Sequence, residues 1–166
     1  AAGRYDVTAR QTYEVRPSHL DHTLAVTNEA AVAVPVGLGF HPWFVDAPIR
    51  VPAEAYWPGD TPLPDGPPLP VTPDVDLRLP RRAPVMDRCY TRLGDNVATV
   101  GDLTLSWSGP VTQVVVFTGV EGWVCVEPVT MANDGFNMWV AGFGDAGVRT
   151  NNRRDVRRDL PQRGVH

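Results

Sequence analysis

Along most of this chain, apolar and polar positions alternate with a period of two. Tyr5, Val7, Ala9, Tyr13 and Val15 share one parity, followed by Leu24 and Val26, and then by Val32, Val34, Val36, Leu38 and Phe40. Leu103, Leu105 and Trp107 alternate with polar residues. Val111, Gln113, Val115 and Phe117 interleave with Thr112, Val114, Val116 and Thr118, and a last strand is expected near Gly122 to Glu127. No helical stripe of useful length is present. Successive side chains of a strand point to opposite faces, so the pattern predicts an all-β, mostly antiparallel sandwich.

Between Ala47 and Val85 the pattern fails, and eleven of the chain's 17 Pro fall there. Proline cannot donate to a ladder, so this stretch predicts a long semi-rigid loop with short edge strands, either a wall of a binding site or a solvated connector. From Asn151 onward the chain is rich in Arg and poor in apolar residues. We expect 1–150 to form the folded unit and 151–166 a disordered tail.

Composition narrows the function. A net charge of −4 argues against nucleic acid or an anionic membrane as the main partner. The longest apolar stretch, Ala30 to Phe40, is too short to cross a bilayer and is broken by Pro35, Gly37 and Gly39. All 15 basic residues are Arg, which excludes Schiff-base lysine chemistry and a P-loop lysine. Cys89 and Cys125 form no C-x-x-C and are expected as reduced, packed thiols of a cytoplasmic protein.

Few residues offer chemistry. His41 lies in Gly37-Leu38-Gly39-Phe40-His41-Pro42-Trp43-Phe44. Strand parity places Phe40 and Leu38 toward the core and His41, Trp43 and the two glycines on the other side. That side predicts open room, an imidazole and a flat aromatic face, which suit a sugar; a lone histidine is also a common structural residue. Glu127 ends an apolar strand, where desolvation would raise its pKa toward that of a neutral-pH base; a pairing with Arg is the alternative. Asp87 follows the Pro-rich stretch and suits either vicinal hydroxyls or Arg88 or Arg92. His19-x-x-His22 would hold a metal only on a helix, so no metal site is expected. Gly37-x-Gly39 lacks a third glycine and a following helix and is not a dinucleotide fingerprint.

These residues also resemble a known family. Thr27-Asn28 followed by Pro35-Val36-Gly37-Leu38-Gly39-Phe40-His41-Pro42-Trp43-Phe44 is similar to a segment of the aldose 1-epimerases, or galactose mutarotases. Asp76-Leu77-Arg78, Asp87-Arg88-Cys89-Tyr90-Thr91, and Val124-Cys125-Val126-Glu127-Pro128-Val129-Thr130 with Asn133, Phe136 and Asn137 resemble three further segments in the same order. The resemblance implies a galactose mutarotase-like β-sandwich, or supersandwich. It implies interconversion of the α and β anomers of free hexoses such as glucose or galactose, without a cofactor. In that chemistry Glu127 is the base and His41 the acid, and Asp87, Trp43 and Asn137 contact the sugar.

Members of the family are about twice as long, and the resemblance begins near their midpoint. The chain therefore reads as their C-terminal portion, an incomplete sandwich that a second chain or an N-terminal half would complete. The alternative is a non-catalytic carbohydrate-binding module or inactive fragment. A glycosidase using Asp87 and Glu127, or a phosphosugar epimerase using Arg78, Arg81, Arg82 and Arg88, follows the pattern less well. If the sandwich needs completion, sedimentation should show the chain paired with another. A stable, well-folded monomer would contradict this expectation.

Overall fold

The computed structural model describes residues 6–59, 63–140 and 148–150. The expected tail, 151–166, lies outside them. The described strands pair antiparallel throughout, as the alternation predicts. The chain opens with a long hairpin of β1 (Val7–Arg16) and β2 (His19–Asn28). Then come β3 (Val34–Val36), β4 (Trp43–Val45), β5 (Ile49–Arg50), β6 (Ala53–Tyr56) and β7 (Leu69–Pro70). Five further strands follow: β8 (Asp87–Leu93), β9 (Val97–Val100), β10 (Leu103–Ser106), β11 (Gln113–Val120) and β12 (Trp123–Val129). A six-residue helix, α1 (Gly135–Val140), and β13 (Val148–Thr150) close the described chain. The period-two pattern gave no sign of α1, which is too short to make a stripe.

The central sheet has six strands in the order β4-β12-β11-β8-β6-β7. Its two faces do different work because side chains alternate. One face presents Tyr90, Val114, Val116, Val124 and Val126, all essentially without solvent contact. These pack with Ala98, Val100 and Leu105 of the three-stranded sheet β10-β9-β5, making the two layers of the expected sandwich. The other face carries Cys89 and Val115, which pack with Trp57, Ala132 and Met138 of the Trp57 and α1 segments.

The Pro-rich stretch is neither a wall nor a solvated connector. It supplies Ile49, Val51, Ala53, Val75 and Leu77 to the main core, and β6 is an interior strand of the central sheet. Its prolines break the regular ladder, but the apolar residues between them still find the core. Where strand pairing stops, individual bonds fasten the segment. The Tyr90 hydroxyl, fully buried, donates to the Val75 carbonyl at 2.7 Å. The Val51 and Arg81 backbone N–H groups donate to Leu77 and Ile49.

The Tyr90 bond should be measurable. Tyr90→Phe keeps the ring and leaves a buried carbonyl without this donor, which costs about 1–3 kcal/mol. Urea unfolding should show a lower midpoint with an unchanged slope. An unchanged midpoint would mean that this bond does not hold the segment.

Candidate functional site

The site grows from one register. β4 runs beside β12 with Val45 opposite Trp123, Phe44 opposite Val124 and Trp43 opposite Cys125. Beyond Pro42, Gly39 pairs with Val129 in the same register. His41 therefore stands opposite Glu127. Pro42 has no N–H to give, so the ladder lapses there, and it resumes where the Phe40 N–H donates to the Pro128 carbonyl at 3.2 Å. On its other side β12 pairs with β11, placing Val115 opposite Glu127 and Phe117 opposite Cys125. β8 follows, with Cys89 opposite Val115 and Asp87 opposite Phe117. Two rows thus cross one face of the sheet: His41, Glu127, Val115, Cys89 and, beside it, Trp43, Cys125, Phe117, Asp87.

Glu127 does not end its strand, as the sequence suggested, because β12 continues to Val129. Interior placement leaves its side chain only 12% exposed. His41 Nε2 lies 3.3 Å from Glu127 Oε1, and the histidine side chain is 60% exposed. Burial pushes the Glu127 carboxyl above its ordinary value; His41 opposes that shift and Asp87 adds to it. Burial raises Asp87 too, against the pull of His41. The Trp43 ring stacks on His41, centroids 5.7 Å apart and planes 20° from parallel, while the Phe117 ring meets Trp43 edge-on at 5.9 Å. Trp43 thus commits one face to the imidazole.

His41, Trp43, Asp87, Val115, Phe117, Glu127 and Asn133 line a cavity of about 390 Å³, within the ~300–1,000 Å³ of small-molecule sites. Four of the five residues named from the sequence meet here. Asn137 does not line the cavity: it lies exposed on α1, and its amide donates to Asp134 Oδ1 at 2.6 Å. Asn133 takes a place there instead. It immediately precedes a left-handed turn at Asp134, and its backbone N–H donates to Cys89. Only its spacing from Glu127 marked it in the sequence. Among the described residues, Asp87 has no ion pair with Arg88 or Arg92; Arg88 lies over the Tyr56 ring at 4.6 Å. Arg78 pairs with Asp76 and Glu54, and Arg82 with Asp46, so these cations are engaged away from the cavity.

The glycine side is not open. A Cβ on Gly39 would lie 2.7 Å from Val129 Cγ1, and one on Gly37 would overlap Met131 Sδ. The glycines allow close approach of the chain after β12, and the room for a ligand lies one residue further, over Glu127. A larger cavity, about 580 Å³, opens on the far side of His41 and Trp43 toward Tyr13 and His22, but no carboxylate among the described residues lines it. His19 and His22, three apart on β2, point to opposite faces and form no chelating pair. Cys89 and Cys125 are both free and buried. No described helix is long and apolar enough to cross a membrane.

No protein-family model and no curated protein matches this sequence. Solved structures do match its fold. A "Putative aldose 1-epimerase" from Escherichia coli K12 superposes with a TM-score of 0.81 at 20% identity, covering 98% of this chain and 62% of that one. A galactose mutarotase-like protein from Clostridium acetobutylicum gives 0.77 at 15% identity, covering 95% and 56%. Another from Lactobacillus casei ATCC 334 gives 0.68 at 15%, covering 96% and 63%. The fold is the galactose mutarotase-like sandwich expected from the sequence, and the chain spans less than two thirds of each of these structures.

The raised carboxyl of Glu127 has a definite sign in stability. The folded chain holds that proton more tightly than the unfolded chain, so ionisation opposes folding. The cost is absent below the ordinary value of 4.5 and is complete above the raised folded value. Glu127→Gln should therefore be more stable than wild type at neutral pH, with the difference closing as pH falls from the raised folded value toward 4.5. Urea unfolding across this range tests it, and a variant equally destabilised at every pH would refute it.

Proposed function

We propose that the chain carries the acid–base centre of an aldose 1-epimerase acting on free hexoses. The observation that carries this reading is the 3.3 Å contact between His41 Nε2 and Glu127 Oε1 at the floor of the cavity. In a pyranose, the anomeric hydroxyl oxygen and the ring oxygen are bonded to the same carbon. An acid and a base serving both must therefore be neighbours, and a strand register supplies such a pair with little freedom to separate.

Glu127, its affinity for a proton raised by burial, takes the proton of the anomeric hydroxyl. His41, protonated, gives a proton to the ring oxygen. The bond from C1 to the ring oxygen breaks, and C1 becomes an aldehyde carbon. After rotation about C1–C2, the former ring oxygen attacks the other face of the carbonyl. His41 takes that hydroxyl proton, and Glu127 returns its own to the new anomeric oxygen. Protons and electrons balance without a cofactor. Asp87 and Asn133, on the cavity wall, are placed to bond sugar hydroxyls, while Trp43 orients the imidazole and walls the site with Phe117.

The chain spans only 62% of the Escherichia coli structure. This supports one second reading: a sugar-binding module in which the pair is present and the cradle incomplete.

Polarimetry on fresh α-D-glucose or α-D-galactose separates the readings. The chain should speed equilibration, and Glu127→Gln should lower the rate by about 10²–10⁴-fold with folding intact. His41→Asn should act similarly. Sugar binding with no acceleration would select the binding module, and an undiminished rate in Glu127→Gln would remove that residue from the mechanism.

A further inference from the structure

We propose that His41, Cys125 and Glu127 form a binding site for a zinc-class divalent cation that closes the acid–base pair. An imidazole nitrogen of His41, the Cys125 sulfur and a Glu127 oxygen all lie within 4.8 Å of one another. The backbone sets this convergence. Cys125 and Glu127 are two apart on β12 and share a face, and His41 stands opposite Glu127 in register. Cys125 and Glu127 belong to a packed sheet, and His41 sits between the Gly39–Val129 bridge and β4, so pairing on either side holds the donors in place.

Donor chemistry selects the ion. Thiolate, imidazole and carboxylate together suit zinc or cobalt(II), whereas magnesium and calcium demand more oxygen donors and reject sulfur. Zinc bonds of about 2.0–2.3 Å in a tetrahedron place donors about 3.3–3.8 Å apart. The nitrogen and carboxylate oxygen already stand at 3.3 Å. Sulfur-to-nitrogen and sulfur-to-oxygen edges of such a tetrahedron are about 3.5 Å, so the sulfur closes at most about 1.3 Å from its 4.8 Å limit. One thiolate and one carboxylate neutralise the dication, which offsets its desolvation at this buried floor. The exposed edge of His41 provides the entry path, and water would complete the tetrahedron. On coordination the metal–sulfur bond replaces the S–H bond, and the thiol proton leaves to buffer.

Cation binding stands on these three donors alone. Its effect on anomer exchange rests on the acid–base reading above, since the ion occupies the lone pairs that reading needs.

Cobalt(II) titration of the reduced full chain tests the site. One equivalent should produce a thiolate-to-cobalt charge-transfer band with the visible bands of a tetrahedral ion, release at least one proton, and yield to zinc. His41→Ala, at a half-exposed position that packing barely needs, and the near-isosteric Cys125→Ser should each weaken binding by at least about tenfold. Cys89→Ala, outside the cluster, should keep the band. No thiolate band in wild type, or a band that survives Cys125→Ser, overturns the site. Zinc at saturation should abolish anomer exchange. A bound ion with undiminished exchange would leave the site standing and overturn the acid–base roles instead.

Discussion

Glu127 is a carboxylate removed from most of its water and set between two strands. Such a group needs either a proton or a partner, and the structure offers both through His41. That contact depends on the register of the Leu38–Val45 segment against β12. A slip of one residue would turn His41 to the opposite face and bring Phe40 or Pro42 over the carboxylate. The register is held on both sides of the lapse at Pro42. Below it, the Thr130 N–H donates to the Leu38 carbonyl and the Leu38 N–H to the Thr130 hydroxyl. Above it run the β4 pairings from Trp43 to Val45.

The rest of the molecule makes that register stiff. The β12 strand is interior, with β11 on one side and β4 on the other, and its core-facing residues Val124 and Val126 have essentially no solvent exposure. Burial on one face lets the other tolerate ionisable groups, because the strand's position no longer depends on them. On the cavity's own face of the sheet, next to Val115 and Cys89, the Trp57 indole donates to Gln113 Oε1 at 2.8 Å and ties the Pro-rich segment to the sheet. The Pro-rich segment thus braces the sheet beside the site.

Much of this was legible in the chain. Alternation marks the long strands, and the rarity of ionisable residues inside apolar runs singles out His41 and Glu127. What could not be read was long-range. The partner of each strand, and hence the adjacency of Trp43 and Cys125, is set by pairings far apart in sequence. For the same reason the sequence cast the glycine side as open, although Met131 and Val129, distant in sequence, fill it. The Pro-rich stretch misled because a broken ladder looks like a loop, while burial of Ile49, Val51 and Leu77 depends on the core that receives them. Asn133 and Asn137 were indistinguishable by spacing, and only the turn at Asp134 separates their surroundings.

The close packing over Gly37 and Gly39 also governs how such a site can diversify. A Cβ at Gly39 would press on Val129, two residues from Glu127, so the backbone there has little freedom to change without moving the carboxylate, whereas at Gly37 the flexible end of the Met131 side chain gives way first. Variation in what the cavity accepts is left to its rim, at Trp43, Phe117, Asp87 and Asn133, where a new side chain alters shape without disturbing register. The register that sets His41 against Glu127 and the side chains that shape the cavity are therefore separately heritable: one is written in a glycine and strand pairing, the other in replaceable side chains.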